Sequence, residues 1–415
     1  MRDLGRVVTG KTPSTAAPEN FGGDYPFLTP TDMHGSKWAR KTDRGLSTTG
    51  ASRLRGQIPA GSIAVSCIGW QMGKAILTDR PTYTNQQINT IIPTAGVDAE
   101  YLYYYFAIRR DELLSIGSAG GVRTPIISKS SFEGLDVKVP DLGVQRAVAS
   151  ILSAYDDLIE NNTRRIAILE EMARRIYEEW FVRFRFPGHK GMRMVESELG
   201  LVPEGWQVGT VADVAVVYRG RSYKGSELSD SGGRPFVNLK CMERDGGFRA
   251  SGLKRYTGQF KDSHTVRPGD MVMGITDMTQ ERRIVARVGR VLGLDADFGV
   301  FSMDLVRIAS RGLYAEPYIY AMFRWSRFAD EVKQHANGAN VLHLLPARIE
   351  EFAFARPTPE LAARFADHLA PMLSLCDTLE RKNVNLRTTR DLLLPKLISG
   401  ELDVSALPEP EALAA

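Results

Sequence analysis

Five stretches of the N-terminal third recur later in the chain, in the same order. DLGRVVTGK, from Asp3, is answered by DVAVVYRGR, from Asp213. DYPFLTPTDM matches GRPFVNLKCM and sets Phe27 against Phe236; IPAGSIAVSCIG matches VRPGDMVMGITD and sets Gly61 against Gly269. EYLYYYF matches PYIYAMF, with Phe106 against Phe323. GVRTPIISKSSFEGLDVKVP matches GANVLHLLPARIEEFAFARP, with Pro140 against Pro357. Each match is weak alone, but five in one order restrict the chain to two similar globules, each followed by the same kind of element.

That element is a long amphipathic helix, beginning just after Pro140 in one copy and just after Pro357 in the other. The spacing predicts residues 1–143 as a first globule, 144–186 as a central helix, and 187–205 as a Gly- and Pro-containing linker. A second globule follows over 206–357, a C-terminal helix over 358–400, and a tail over 401–415. Each helix is on the order of 55 Å long, and helices of that length stabilise best by lying along one another. Thr358, Pro359 and Glu360 give the C-terminal helix a capping hydroxyl, a first-turn proline and a carboxylate at its positive end. In the globules, segments such as SIAVSCI and DMVMGIT read as short strands between glycines and prolines, whereas EYLYYYFAIRRDELL has helical spacing. The fold class is therefore α/β: two β-rich α/β globules separated by two long helices in an antiparallel coiled coil, with an internal pseudo-twofold repeat.

The apolar stripe of the central helix passes through Ile151, Tyr155, Leu158, Asn162, Ile166 and Leu169. The stripe of the C-terminal helix passes through Leu379, Asn383, Leu386 and Leu393. Both seams carry an asparagine near mid-helix. In an antiparallel pair Asn162 and Asn383 should meet, fixing register at some cost in stability. Pro371 lies inside the C-terminal helix, so a bend or short break is expected between Asp367 and Pro371.

Apolar residues make up 43% and charged residues 25% of the chain, which is ordinary for a globular protein. No apolar run is long enough to span a bilayer, and the first residues lack the apolar stretch of a signal peptide. Cys67, Cys241 and Cys376 are far apart and form no disulfide framework, which fits a reducing cytoplasm.

Motifs for catalysis are missing. There is no GxxxxGK[ST], HExxH or CxxC, no acidic–proline–aromatic tetrapeptide and no glycine-rich loop for S-adenosylmethionine. Glu331-Val332-Lys333 has half of a nuclease-like pattern, but a solvated helix face explains it as well. No metal site or cofactor is expected in this chain.

A net charge of +4 permits nucleic-acid binding without demanding it, so the placement of charge matters more. Between residues 144 and 186, seven arginines balance seven acidic residues. Positive charge gathers instead in polar stretches of the globules. The first copy offers Lys11, Lys37, Arg40, Lys41, Arg44, Arg53, Arg55, Trp70, Gln71 and Lys74. The second offers Arg221, Lys254, Arg255, Tyr256, Gln280, Arg282 and Arg283. Arg, Lys and Gln read base edges or anchor phosphates, and clusters in both copies point to double-stranded DNA.

QRAVASILSAYDDLIENN, LEEMARRIYEEWFVRFRFPG, ELGLVPEGW and RDLLLPKLISGELDV resemble the central and C-terminal regions of type I restriction–modification specificity subunits. GKTPS resembles the opening of their target recognition domains. The resemblance covers nearly the whole chain. It implies a subunit without activity of its own, in which each target recognition domain reads half of a split DNA site through the major groove. The helices set the spacer. Two methyltransferase subunits dock on the frame, and translocase–nuclease restriction subunits join them; S-adenosylmethionine, ATP and Mg are expected on those partners. Family members usually carry a stretch like LGLVPEGWQVGTV before the first domain too. Here the chain opens at the equivalent of Ala212, so that domain is expected to lack one N-terminal strand. Three other readings stay open on the residues alone: a methylation-only specificity subunit, a DNA-processing nuclease with a divergent site, and a coiled-coil scaffold that binds no DNA.

Overall fold

Within the computed structural model, residues 1–54, 56–119 and 123–407 are described, and they form two units. One comprises Met1–Asn161 with the C-terminal stretch from Asn385; the other is Asn162–Val384. Each unit therefore contains one globule and a part of both long helices.

The two globules repeat one sheet. In the first, the strand order is Gly5–Thr9, Ile88–Pro93, Ile63–Ser66, Ala75–Leu77, all antiparallel. In the second it is Ala215–Arg219, Leu305–Ser310, Met271–Gly274, Val288–Arg290, again antiparallel. The strands Ile63–Ser66 and Met271–Gly274 are buried throughout, which is why both read as continuous apolar runs. A smaller sheet also recurs. Phe27 sits opposite Tyr83 in a parallel pair, and Phe236 opposite Val300 in another. Phe27 and Phe236, matched by sequence, are 1% and 0% exposed. One strand of the second globule, Gln207–Thr210 paired with Ala353–Arg356, has no counterpart among the described residues of the first. The Met1 amino group there donates to Leu135 O at 2.9 Å, as Val211 N does to Phe352 O at 3.0 Å. Within the 187–205 linker Met194–Ser197 and Gly200–Pro203 form a hairpin, and Val202, like Trp206 at the start of the second globule, enters the core of the second unit.

The central helix spans Leu142–Tyr177 and passes into a π-helical turn, Glu178–Val182. The extra residue of a π turn rotates the helix face by part of a turn, and it buries the adjacent Trp180 and Phe181 together. Their rings pack against Phe365, with centroids 5.8 and 4.9 Å away. The C-terminal helix, Pro359–Ser399, starts at Thr358, whose Oγ1 accepts from Leu361 N at 3.4 Å. In the second unit the helices run antiparallel, since Trp180 faces Phe365 whereas Asn162 faces Asn383. In the first unit, Arg390 donates to Asp156.

Asn162 Nδ2 donates to Asn383 Oδ1 at 2.9 Å, and the two residues are 9% and 0% exposed. Two other expectations about the helices need correction. Leu158 is 54% exposed and lies off the seam, and its neighbour Ile159 is buried. Leu152 likewise takes the buried position beside the half-buried Ile151. The buried series runs Val148, Leu152, Tyr155, Ile159, Asn162, Ile166, Leu169, Ala173, Tyr177, Trp180, with Tyr155, Ile166 and Leu169 half-buried. Its steps alternate between four and three residues through Asn162 and double at four only at Ala173, next to the π turn. Of the bend or short break expected at Pro371, the break does not occur, for the helix is continuous from Pro359 to Ser399. Pro371 and Asp367 are both exposed, so the Asp367 carbonyl that loses its helical donor faces water and the packed side of the helix is untouched.

Candidate nucleic-acid interface

The strongest recurring surface is the loop that leaves the fully buried middle strand of each sheet. In the first unit it spans 67–74. Gly69 and Gly73 adopt φ of +83° and +82°, which turns the chain sharply. Met72 N donates to Gly69 O and Gly73 N to Ser66 O. Met72 is wholly buried; a Cβ on Gly117 would come within 2.5 Å of its Sδ, so the glycine makes room for that anchor. Arg110 clasps the loop from the neighbouring helix, donating to Met72 O at 3.4 Å and Trp70 O at 3.3 Å. Lys74 Nζ donates to Gln71 Oε1 at 2.7 Å. The indole of Trp70 is left 72% exposed at the tip.

In the second unit the equivalent loop, 275–287, is closed by the buried Asp277. Its carboxylate accepts from Thr279 N at 2.9 Å, Thr279 Oγ1 at 3.0 Å and Ile284 N at 2.9 Å. Gln280 Nε2 donates to Gly338 O and Ala339 O, and Arg282 to Gln334 Oε1 at 2.7 Å. Arg283 pairs with Asp245, and this hydrogen bond holds the Asp245 carboxyl below the usual carboxylate range. Arg287 reaches Asp330 at 2.8 Å. Met278, at the tip, is 65% exposed.

Both loops are anchored at the same place in the topology. Ile68 bridges Ile126, and Thr276 pairs with His343. Among the sequence candidates, Trp70, Gln71 and Lys74 therefore come together on one loop and Gln280, Arg282 and Arg283 on the other. Lys11, Lys41, Arg44 and Lys254 are exposed elsewhere on their globules. The Arg44 guanidinium lies 4.0 Å over the Phe21 ring. Arg40 is half exposed and pairs with Glu160 on the central helix at 2.8 Å. Arg221 donates to Tyr256 Oη at 3.3 Å and Gln259 O at 3.1 Å. Arg255 binds Asp295 and holds that carboxyl down. Arg55 lies outside the described residues.

Two candidates are structural. The Lys37 side chain is 3% exposed, with Nζ 2.9 Å from Glu100 and 3.1 Å from Asp157, so its charge is consumed inside the unit. Tyr256 is 1% exposed, its ring stacked on Phe236 at 5.1 Å. Neither side chain can reach DNA without unpacking. Sequence reasoning also missed two contributors, Met278 and Arg110. Met278 was within reach: one residue beyond the matched Gly69 and Asp277, the alignment places Trp70 against Met278. Nothing local marks Arg110, whose role depends on a loop 38 positions earlier.

Among the described residues, no group of three or more His, Cys, Asp or Glu could hold a metal ion, and no helix is long and apolar enough to cross a membrane. Glu331 pairs with Arg327 and Lys333 with Asp330, as on a solvated helix face.

Comparison with known proteins gives consistent matches. The model of the type I restriction modification DNA specificity domain matches residues 1–171. The chain is 26% identical to the type I restriction enzyme MjaIX specificity subunit of Methanocaldococcus jannaschii over 420 residues, covering 98% of this chain and 93% of the relative. It is 35% identical over 170 residues to the HindI specificity subunit of Haemophilus influenzae, covering 39% and 36% of the two chains. The crystal structure of a type I restriction–modification S subunit from M. genitalium aligns with a TM-score of 0.58 at 14% identity, covering 95% of this chain and 94% of that one, a likeness of fold.

Proposed function

The chain belongs to the family of type I restriction–modification specificity subunits, and from that membership we propose that each of its units reads one half of a bipartite DNA site. Specificity subunits are DNA-recognition and not catalytic subunits. The observation that carries the proposal is the repeated loop. Residues 67–74 and 275–287 leave equivalent buried strands and present amide and cationic side chains on fixed backbones. Such groups can bond base edges and phosphates in the major groove. Lys11, Lys41, Arg44, Arg221, Lys254 and Arg255 lie on the same globules and serve as phosphate contacts in this reading. The paired helices set the number of unread base pairs between the half-sites. They also carry the docking surfaces for two methyltransferase subunits, which bind S-adenosylmethionine. Translocase–nuclease subunits using ATP and Mg complete the restriction complex in the cytoplasm.

Expression of the chain with its methyltransferase subunits, followed by long-read mapping of methylated adenine, tests this. The expected result is one bipartite motif with a fixed gap. Replacing the 275–287 loop should change one half of the motif and leave the other. A contiguous motif, or changes in both halves, would refute the division of labour.

A further inference from the structure

Trp70 and Met278 share three properties that ordinary surface residues do not combine. They occupy equivalent positions in the repeat, one residue past Gly69 and Asp277. They are 72% and 65% exposed. And each stands on a loop whose backbone is tied down at several points: by Met72, Gly73 and Arg110 in one unit, by Asp277, Gln280 and Arg282 in the other. Trp70 is also the one tryptophan of five that is exposed, the others being buried or half-buried. An apolar side chain on a mobile loop can be incidental. A rigid loop that holds one out in water in both copies is arranged for a ligand.

We infer that Trp70 and Met278 are apolar wedges that insert at a base step of duplex DNA, one in each half-site. This rests on the reading that the two loops face DNA. The surroundings favour a nucleic acid over a protein. Gln71 and Lys74 accompany Trp70, and Gln280, Arg282 and Arg283 accompany Met278; side chains of these types bond phosphates and base edges. The apolar surface does not extend consistently beyond the tip. Ile126, bridged to Ile68, is 51% exposed, but the matching position in the second unit is His343. What the copies share is a single protruding apolar group amid polar ones, the form that partial intercalation uses. An indole offers a flat face for stacking, and a thioether is slim and polarisable.

The test uses the full chain in complex with its methyltransferase subunits, a duplex carrying the mapped site, and the variants Trp70→Ala, Trp70→Phe and Met278→Ala. Trp70→Ala should weaken binding about tenfold, and Trp70→Phe should stay within about threefold of wild type, since a ring still stacks. An apolar contact displaces no counterions, so the slope of log affinity against log salt should not change, unlike that of an arginine variant. The difference in emission between wild type and Trp70→Phe isolates the Trp70 indole, which DNA should quench. Met278→Ala should relax the second half-site alone. If Trp70→Ala binds as wild type does, or the indole signal ignores bound DNA, the wedge is refuted and the DNA-reading proposal stands. If Trp70→Ala instead sheds the methyltransferase subunits, the tip is a protein contact and the wedge is again refuted. If the wild-type complex does not bind the duplex, the underlying reading fails and takes the wedge with it.

Discussion

Replacing Asn162 by leucine probes the buried amide pair, and its outcome can be worked out from the geometry of the pair. The Asn162–Asn383 bond is 2.9 Å long, and Asn383 makes one further weak contact, Nδ2 to Thr163 Oγ1 at 3.4 Å. Asn162→Leu removes a hydrogen bond worth about 1 kcal/mol net. It also strands the wholly buried Asn383 Oδ1, at about 1–3 kcal/mol. Burying the leucine returns about 1.5–3 kcal/mol. The single variant should therefore lose about 0–2 kcal/mol, and Asn383→Leu a similar amount. The double variant strands nothing and buries two leucines, so it should equal or exceed wild type. The coupling between the sites, the shared bond plus the two stranding penalties that the double variant avoids, should be at least about 3 kcal/mol. Hydrogen exchange on peptides spanning both mid-helices reads this locally. Register is read separately, as the penalty for lengthening the DNA spacer by one base pair. It should be steep for wild type and shallower for the double variant, because leucines pack acceptably in more than one register whereas a paired amide does not. Additive single effects, or an undiminished spacer penalty in the double variant, would refute the register role.

Lys37→Met should destabilise the first unit by about 1–3 kcal/mol, less than a fully buried pair because Glu100 and Asp157 can rehydrate, and should leave the salt slope of DNA binding unchanged. Replacing Arg282 and Arg283 by alanine should weaken the second half-site and lower the salt slope by about one for each phosphate that is no longer neutralised, measured by titration at several salt concentrations. Pro371→Ala should restore a donor on the solvent face of a continuous helix and raise the thermal midpoint, by up to about 3 kcal/mol of stability, with DNA selectivity unaltered.

The fold was legible where the signal is repeated or periodic. Five ordered matches in sequence became two sheets with the same strand order, because strand pairing depends on which segments are apolar and in what sequence they come. In the C-terminal helix Leu379 and Asn383 are buried on the expected seam and Leu386 is half-buried, but Leu393 is half-buried beside the buried Leu394. The central seam slipped by one at Leu158. Leu158-Ile159 and Ile151-Leu152 are adjacent apolar pairs, and spacing cannot say which member turns inward. The site was legible in outline only. Lys37 sits in a basic run, KWARK, and by composition belongs with Arg40 and Lys41. Its burial depends on Glu100, 63 positions away, and on Asp157 in the helix. Tyr256 follows Lys254 and Arg255 and shares their strand, yet its ring turns inward onto Phe236. A run of residue types names a neighbourhood; alternation along a strand and distant partners decide which members face water.

The ion pairs between globule and helix show which parts of the repeat are held in common. In the first unit Arg40 binds Glu160 at 2.8 Å; in the second Arg290 binds Asp377 at 2.8 Å. On the offset that matches Pro140 to Pro357, Glu160 and Asp377 are the same helix position. The arginines are not equivalent: Arg40 comes from an irregular segment after Trp38, Arg290 from the last strand of the sheet. The second pair is the more enclosed. The Asp377 carboxyl is pushed up by burial, which Arg290 offsets in part, whereas Arg40 is half exposed. A carboxylate recurs on the helix, and each globule reaches it with an arginine from a different part of its own structure. That is the outcome expected if helix pairing constrains the helices residue by residue while the globules vary with the DNA they bind. On that reasoning, exchanging a whole globule between relatives should preserve the seating of the globule on its helix only when the incoming globule brings an arginine within reach of that carboxylate. Where it does not, Arg40→Ala or Arg290→Ala in the parent should reproduce the defect.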